Sequence, residues 1–290
     1  MGGAKDILSG LRRWARRPPA ACGPVIGLAL GGGFARGIAH LGILKVLEES
    51  QVPVAMIAGV SAGALVASAY ASGTTVDEIA AIAKGMKFKD IARWTFSRLG
   101  LAGSDRMAGF IARLLKVYRF EEMRTPLAVL ATDLNSGRPV VFRDHGSVVL
   151  PIRASCSYPG LFQPVRYRDH HLVDGAMACE VPAPALRKMG ATHIISVCLP
   201  VNGDGFDPSN MLQVVNRCFQ IMQTRTERDW RRYSNVVIQP DVTGMTWDGF
   251  ENAQRLIDRG ETAARAVLPR ILSWLARKPL DAQPPICCER

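Results

Sequence analysis

Apolar positions along the chain alternate between two kinds of pattern. The run Val25-Ile26-Gly27-Leu28-Ala29-Leu30 is continuous, as in a strand buried on both faces. After three glycines, Ile38, Leu41, Ile43, Leu44, Val46 and Leu47 recur at helical spacing. The same change repeats downstream, where Val54-Ala55-Met56-Ile57-Ala58 reads as strand and the alanine-rich stretch from Ala62 reads as helix. The pattern thus predicts strands at 25–30 and 53–58 and helices at 37–49 and 62–72. Further strands are predicted near 127–132, 139–143, 171–174, 193–198 and 235–239, separated mainly by helical stretches. Such alternation predicts an α/β fold, a three-layer, doubly wound architecture with a largely parallel sheet. Residues 77–120 carry no strand pattern. There Phe88, Trp94, Phe96, Met107, Phe110 and Leu114 stand among basic residues and read as a helical cap segment near the site, or equally as ordinary packing helices. Val201–Ser209 reads as a surface loop.

Two of the strand-to-helix junctions carry chemistry. Ser61 sits in Gly59-Val60-Ser61-Ala62-Gly63, between a strand and a helix. A nucleophile elbow needs this arrangement, because the serine must stand clear of the sheet while strand and helix pack closely behind it. Gly59 and Gly63 leave room for that packing. The other junction is Gly31-Gly32-Gly33-Phe34-Ala35-Arg36-Gly37. Its glycines allow backbone N–H groups to face an anion with no Cβ in the way. A phosphate loop would end in Gly-Lys-Ser/Thr, and a dinucleotide fingerprint would want glycine or alanine at position 36; Arg36 fits neither. With a serine elbow one βα unit downstream, an oxyanion hole is the better use of Gly31, Gly32 and Gly33. None of the five histidines lies in a compelling catalytic context: His145 falls in a polar turn, His170 and His171 follow Arg168-Asp169, His193 opens a strand, and His40 belongs to a helix. Asp174 instead ends a short extended run with Gly175 behind it, free to face a neighbouring strand end.

These motifs in this order resemble the patatin-like phospholipases, particularly the compact bacterial members. The likeness is carried by the glycine loop with Arg36-Gly37, by the serine elbow, and by Asp174-Gly175-Ala176. It extends to Ala131-Thr132-Asp133-Leu134-Asn135-Ser136-Gly137 and to the segment Ala154–Pro164, and covers roughly residues 24–200. The resemblance implies a Ser–Asp dyad with Ser61 as nucleophile and Asp174 as general base, an oxyanion loop at Gly31–Gly33, and supporting roles for Arg36, Gly59, Gly63 and Gly175. It also implies a lipid ester as substrate and no metal or organic cofactor. Where many members carry a further glycine, this chain has Phe34, which either crowds the mouth of the site or supplies an apolar wall for an acyl chain. Three alternatives remain at this point: a carboxylesterase or thioesterase acting on soluble substrates, a membrane-binding scaffold that keeps the fold without catalysis, and a histidine completing a triad.

Composition adds partners and compartment. A chain of 290 residues has room for one substantial buried core. The division expected is a basic segment at 1–22, a hydrolase domain at 23–280 and a tail at 281–290. Residues 50–76 lack charge, but the prolines, glycines and serine elbow within them argue for a buried strand and helix rather than a membrane span. Arginines at 12, 13, 16 and 17 hint at an export signal, yet the apolar region that follows runs into the glycine loop, so the expectation is a cytoplasmic protein. Seven cysteines without metal-ligand spacing fit a reducing compartment. Of the net charge of +11, part is concentrated near the N-terminus beside Ile7, Leu8, Leu11 and Trp14. That combination predicts peripheral contact with an anionic membrane, and the dispersed basic residues elsewhere give no nucleic-acid module.

Overall fold

The computed structural model describes residues 23–199 and 207–276. The basic segment at 1–22, the tail and most of the loop expected at Val201–Ser209 lie outside the described residues. The chain opens with β1 (Ile26–Leu30), a 3₁₀ turn over Phe34–Ile38 and α1 (Ala39–Glu49), then β2 (Val54–Val60) and α2 (Ala62–Ala71). Next come α3 (Val76–Gly85), α4 (Phe88–Ile91), β3 (Arg93–Ser97), β4 (Gly100–Gly103) and α5 (Asp105–Leu114). β5 (Leu127–Asp133), β6 (Pro139–Arg143), α6 (Val149–Ser155), β7 (Val165–Tyr167) and β8 (His170–Asp174) follow. The last group is α7 (Ala183–Met189), β9 (His193–Val197), α8 (Met211–Arg231), β10 (Val236–Ile238) and α9 (Ala253–Ala276).

β10, β9, β1, β2 and β5 lie side by side and run parallel. The chain moves outward from β1 through β2 to β5, then returns to the opposite side for β9 and β10. The reversal places a crevice at the carboxyl ends of β1 and β9, where doubly wound sheets bind their ligands. β6, β7 and β8 are antiparallel additions beside β5. β5 has only two edges, and its pairing partners divide between them. Ala128, Val129 and Leu130 pair at once with β2 and β6, while Ala131 and Thr132 pair at once with β8 and β6. β2 and β8 therefore share the edge opposite β6. β8 enters from the far end and stops where β2 stops.

Side-chain alternation divides the core in two. Ile26, Leu28, Leu30, Ile57 and Val129 join the larger cluster with α1, α2 and α9. Ala29, Ala58, Ala128 and Leu130 meet α7 and Trp230 of α8 on the other face. The three-layer expectation holds. One expectation fails: residues 77–120 contain the β3–β4 hairpin as well as helices. The hairpin gains its support from a remote segment, since Ala102 N–H donates to Leu161 O at 2.8 Å and Gln163 N–H to Ala102 O at 3.3 Å. Local periodicity carries no trace of such pairing.

α1 and α9 approach so closely that each presents a glycine to the other's backbone. A Cβ on Gly42 would strike the Ile257 carbonyl, and one on Gly260 would strike that of Ala39. Gly42→Val is expected to destabilise the fold by roughly 2–3 kcal/mol, read from urea unfolding. A loss within experimental error would show that α9 can move away at no cost.

Candidate active site

The glycine loop leaves β1 with Gly31 N–H donating to Val197 O at 3.0 Å. His40, fully buried on α1, lies 2.9 Å through Nε2 from Gly31 O. Desolvation lowers its pKa to about 4, so the ring is neutral at pH 7 and Nε2–H is the donor. The peptide between Gly31 and Gly32 is planar, so holding its carbonyl from one side aims the Gly32 N–H to the other. That side holds Ser61: a Cβ on Gly32 would lie 3.4 Å from Ser61 Cβ. No carbonyl among the described residues accepts the N–H of Gly32 or Gly33. At Gly33 a side chain would also meet Leu199 Cδ1 at 2.5 Å.

Ser61 follows β2 directly and has φ 54° and ψ −124°. A positive φ in so sparsely populated a region costs a non-glycine residue about 1–3 kcal/mol, and the packing around the turn holds it there. A Cβ on Gly59 would lie 2.5 Å from Ala64 Cα, and one on Gly63 would run into the Leu30 carbonyl. The fully buried Ser155 hydroxyl accepts the Ser61 N–H at 2.8 Å. Sequence reasoning gave Ser155 no role. The only available signal was its place in the Ala154–Pro164 segment.

Asp174 reaches Ser61 through the edge of β5. Val60 pairs with Leu130 and Asp174 with Ala131, so the two strand ends meet tip to tip on consecutive residues of one strand. Gly175 makes the junction possible, because a Cβ there would strike the Leu130 carbonyl and lie 3.3 Å from Val60 Cγ1. The carboxylate is 1% exposed. Its Oδ1 accepts the Ala176 N–H at 2.9 Å, and the Ser61 side chain lies beside it on the wall of one chamber. Burial raises its pKa to about 7, against the opposing pull of the Ala176 N–H and of Ser61.

Arg36 is also buried, with Nε donating to Gly33 O at 3.4 Å, and no carboxylate among the described residues pairs with it. Desolvation lowers its pKa. Phe34 has φ 52°. Its ring packs edge-on against Tyr158 at 5.0 Å and Trp247 at 5.2 Å. Two such contacts, at about 0.5–1.5 kcal/mol each, offset the strain of that backbone.

Two cavities meet at Ser61 and Phe34. One is an apolar slot of about 80 Å³ between α1, α2, α3 and α5, lined by residues such as Leu65, Ile79, Ile82, Met107 and Phe110. The segment 77–120 thus contributes both packing and a wall of the slot. The other is a polar chamber of about 200 Å³, reached by Arg36, Asp174, Glu180, Asn216, Gln220 and Gln239. The first is walled by apolar side chains and the second by charged and amide groups. Glu180, which sequence reasoning missed, has its pKa raised by burial and accepts from Cys198 Sγ at 3.5 Å.

Among the described residues, no hydrogen bond joins a histidine to Ser61 or Asp174. His170 faces Asp133 at 3.3 Å, His193 stacks on Trp274 at 4.9 Å, and His145 and His171 are exposed. Among the described residues no group of three His, Cys, Asp or Glu side chains could hold a metal ion. No helix among them is long and apolar enough to cross a membrane.

A family model for patatin-like phospholipases matches residues 28–187, a span that takes in the glycine loop, the elbow and Asp174. The chain belongs to the patatin-like phospholipase family. An uncharacterized NTE family protein of Mycobacterium tuberculosis is 31% identical over 198 residues, covering 67% of this chain and 54% of its own. The lysophospholipase nte1 of Neurospora crassa is 31% identical over 191 residues, covering 64% of this chain and 12% of its own. This patatin-like chain therefore spans about half the length, or less, of the curated relatives it matches. Among solved structures, VipD from Legionella pneumophila shares the fold with a TM-score of 0.56 at 13% identity, covering 87% of this chain and 67% of its own.

The buried carboxyl has a consequence for folding. With a pKa raised from 3.8 to about 7, Asp174 holds its proton in the folded state over a range where the unfolded chain has released it. Its contribution to stability is fully present below the lower value and is lost as pH rises through the higher one. Asp174→Asn is therefore expected to raise Tm more at pH 8 than at pH 4. Equal shifts at the two pH values would show that the carboxyl is not titrating in this range.

Proposed function

We propose that the protein is a serine lipid acyl hydrolase of the phospholipase A or lysophospholipase type, working through Ser61 and Asp174. The observation that carries the reading is the placement of Ser61 beside a buried carboxyl whose pKa lies near neutrality. A serine hydroxyl attacks only when a base accepts its proton, and a base is most effective when its pKa is close to the working pH. The lack of a histidine at either residue leaves Asp174 as that base.

The proposed steps run as one acyl transfer to Ser61 and one to water. The acyl chain enters the apolar slot and the polar part of the ester the chamber. Ser61 Oγ bonds to the ester carbonyl carbon while its proton passes to Asp174. The carbonyl oxygen becomes an oxyanion facing the free N–H groups of Gly32 and Gly33, where each such donor is worth roughly 3–4 kcal/mol. Collapse breaks the bond to the alcohol, which leaves with the proton from Asp174, and the acyl group remains on Ser61. Water then attacks the acyl-enzyme, again giving its proton to Asp174, and the fatty acid departs as Ser61 recovers its hydrogen. Ser155 holds the elbow, and His40 orients the loop peptide. Arg36 offers the chamber a positive charge for an anionic group on the substrate. The substrate class is supported by the pairing of slot and chamber and by the lysophospholipase name of a relative.

Ser61→Ala and Asp174→Asn are each expected to lower ester hydrolysis at least roughly a thousandfold with the fold intact, because the two groups act as a unit. In the intact enzyme kcat/KM should rise with pH through about 7 and level off above it, since only the ionised carboxylate can accept the proton. Near-normal turnover by Asp174→Asn, or a profile that is flat from pH 5 to 8, would end the reading. Gly32→Val is expected to cut turnover by about two to three orders of magnitude, because its side chain intrudes on Ser61 and displaces the donor. Unchanged turnover in this variant would reduce the loop to a packing turn.

A further inference from the structure

The β3–β4 hairpin leaves three large apolar side chains in solvent. Trp94 is 63% exposed, Leu99 66% and Leu101 39%. β4 is held by the segment around Leu161, whereas β3 forms the outer edge of its two-stranded sheet. Two strands alone give little stability, and exposing Trp94 and two leucines together adds nothing to a folded monomer in water. The surrounding charge is one-sided. Between residues 84 and 106 stand six basic side chains and two acidic ones, Asp90 and Asp105. Both acids are already engaged: Asp90 accepts the Lys87 N–H at 2.8 Å, and Asp105 lies 3.6 Å from Arg153. Arg93 and Arg98, which flank Trp94 and Leu99, meet no carboxylate among the described residues.

The hairpin also connects to the site. Trp94 packs on Phe88 at 5.6 Å, Phe88 on Trp247 at 6.1 Å, and Trp247 on Phe34 at 5.2 Å. Phe34 lines the apolar slot together with Ser61. A continuous row of rings thus runs from an exposed tryptophan to the cavity mouth.

We propose that this hairpin is a membrane-docking surface, with Trp94 and Leu99 entering the interface of an anionic bilayer while Arg93 and Arg98 meet its headgroups. Exposed apolar side chains beside unpaired cations suit that boundary: the ring and leucines leave water, and the arginines stay with the anions. The proposal deepens the lipid-hydrolase reading and rests on it for the reason that docking exists, which is to bring lipid to the mouth beside Phe34. It is separate from the basic segment at 1–22, which lies outside the described residues.

The test uses the full chain and vesicles of non-hydrolysable diether lipids, phosphatidylcholine alone or mixed with phosphatidylglycerol. The intact protein should pellet with the mixed vesicles, less so at high salt. Trp94→Ser with Leu99→Asp, and separately Arg93→Glu with Arg98→Glu, should each weaken that partitioning at least about tenfold. Hydrolysis of p-nitrophenyl butyrate should stay within about twofold, since none of the four residues is assigned to the chemistry. In case a double variant fails to fold, brominated lipid should quench part of the tryptophan emission of the intact protein, and Trp94→Phe should remove that part. Absence of p-nitrophenyl butyrate hydrolysis by the intact protein would count against the hydrolase reading while leaving vesicle partitioning to decide the docking surface. Unchanged pelleting in both double variants would overturn the proposal. So would a change from dimer to monomer in sedimentation velocity with pelleting intact, which would assign the face to a second copy of the chain.

Discussion

One edge of β5 governs the arrangement of the whole site. Its first residues pair with β2 and its last with β8, so two strands that run in opposite directions are stopped against each other on a single template. Ser61 continues from one of them and Asp174 closes the other. Their proximity is therefore a matter of backbone register and does not depend on flexible side chains or a long loop. The close spacing excludes a Cβ at Gly59, Gly63 and Gly175, where the turn, the helix and the carboxyl-bearing loop must cross at backbone contact.

The same closeness sets the electrostatics. A carboxyl packed between three backbone segments loses its water, and that loss outweighs the stabilisation it draws from the Ala176 N–H and from Ser61. Around it the polar groups are tied down individually. Thr132 Oγ1 donates to Asp174 O at 2.8 Å, Asp174 N–H to Ser157 O at 2.9 Å, and the neutral His40 fixes the glycine loop from behind. Arg36 is the exception, a buried cation whose guanidinium makes, among the described residues, one long hydrogen bond. It shares the chamber with Asp174, Glu180 and Glu227, none of which pairs with it. Groups prepared in advance in this way need little reorganisation when charge develops beside them.

Much of the fold can be read in the sequence because its central strands are buried on both faces and therefore continuous, and because glycines mark the two junctions that matter. The strand and helix expected on either side of Ser61 occur within two residues of their expected limits. That Ser61, Asp174 and the glycine loop converge was also foreseeable from motif order, although convergence by itself assigns no role. The direction of β8 was not legible, since a run as short as His171-Leu172-Val173 reads the same in a parallel or an antiparallel strand. Ser155 and Glu180 gave no signal, because a serine in a helix and a glutamate after a turn acquire meaning only from what they face. The β3–β4 hairpin was missed for a related reason: its pairing partner lies some sixty residues downstream in the chain.

Phe34 stands where the slot and the chamber join, and its ring is fixed by Tyr158 on one side and Trp247 on the other. Tyr158 is itself tied to α8, donating to Asn216 Oδ1 at 2.8 Å, while Trp247 leans on Phe88 and so on the outer hairpin. A single aromatic ring is thus the common partition of two compartments and the end of two separate lines of support. Under the proposed function, preferences for the two halves of a substrate then cease to be independent variables. A bulkier group on either side presses on the same wall, and selectivity becomes a property of the whole molecule being cleaved rather than a product of separate choices for chain and head.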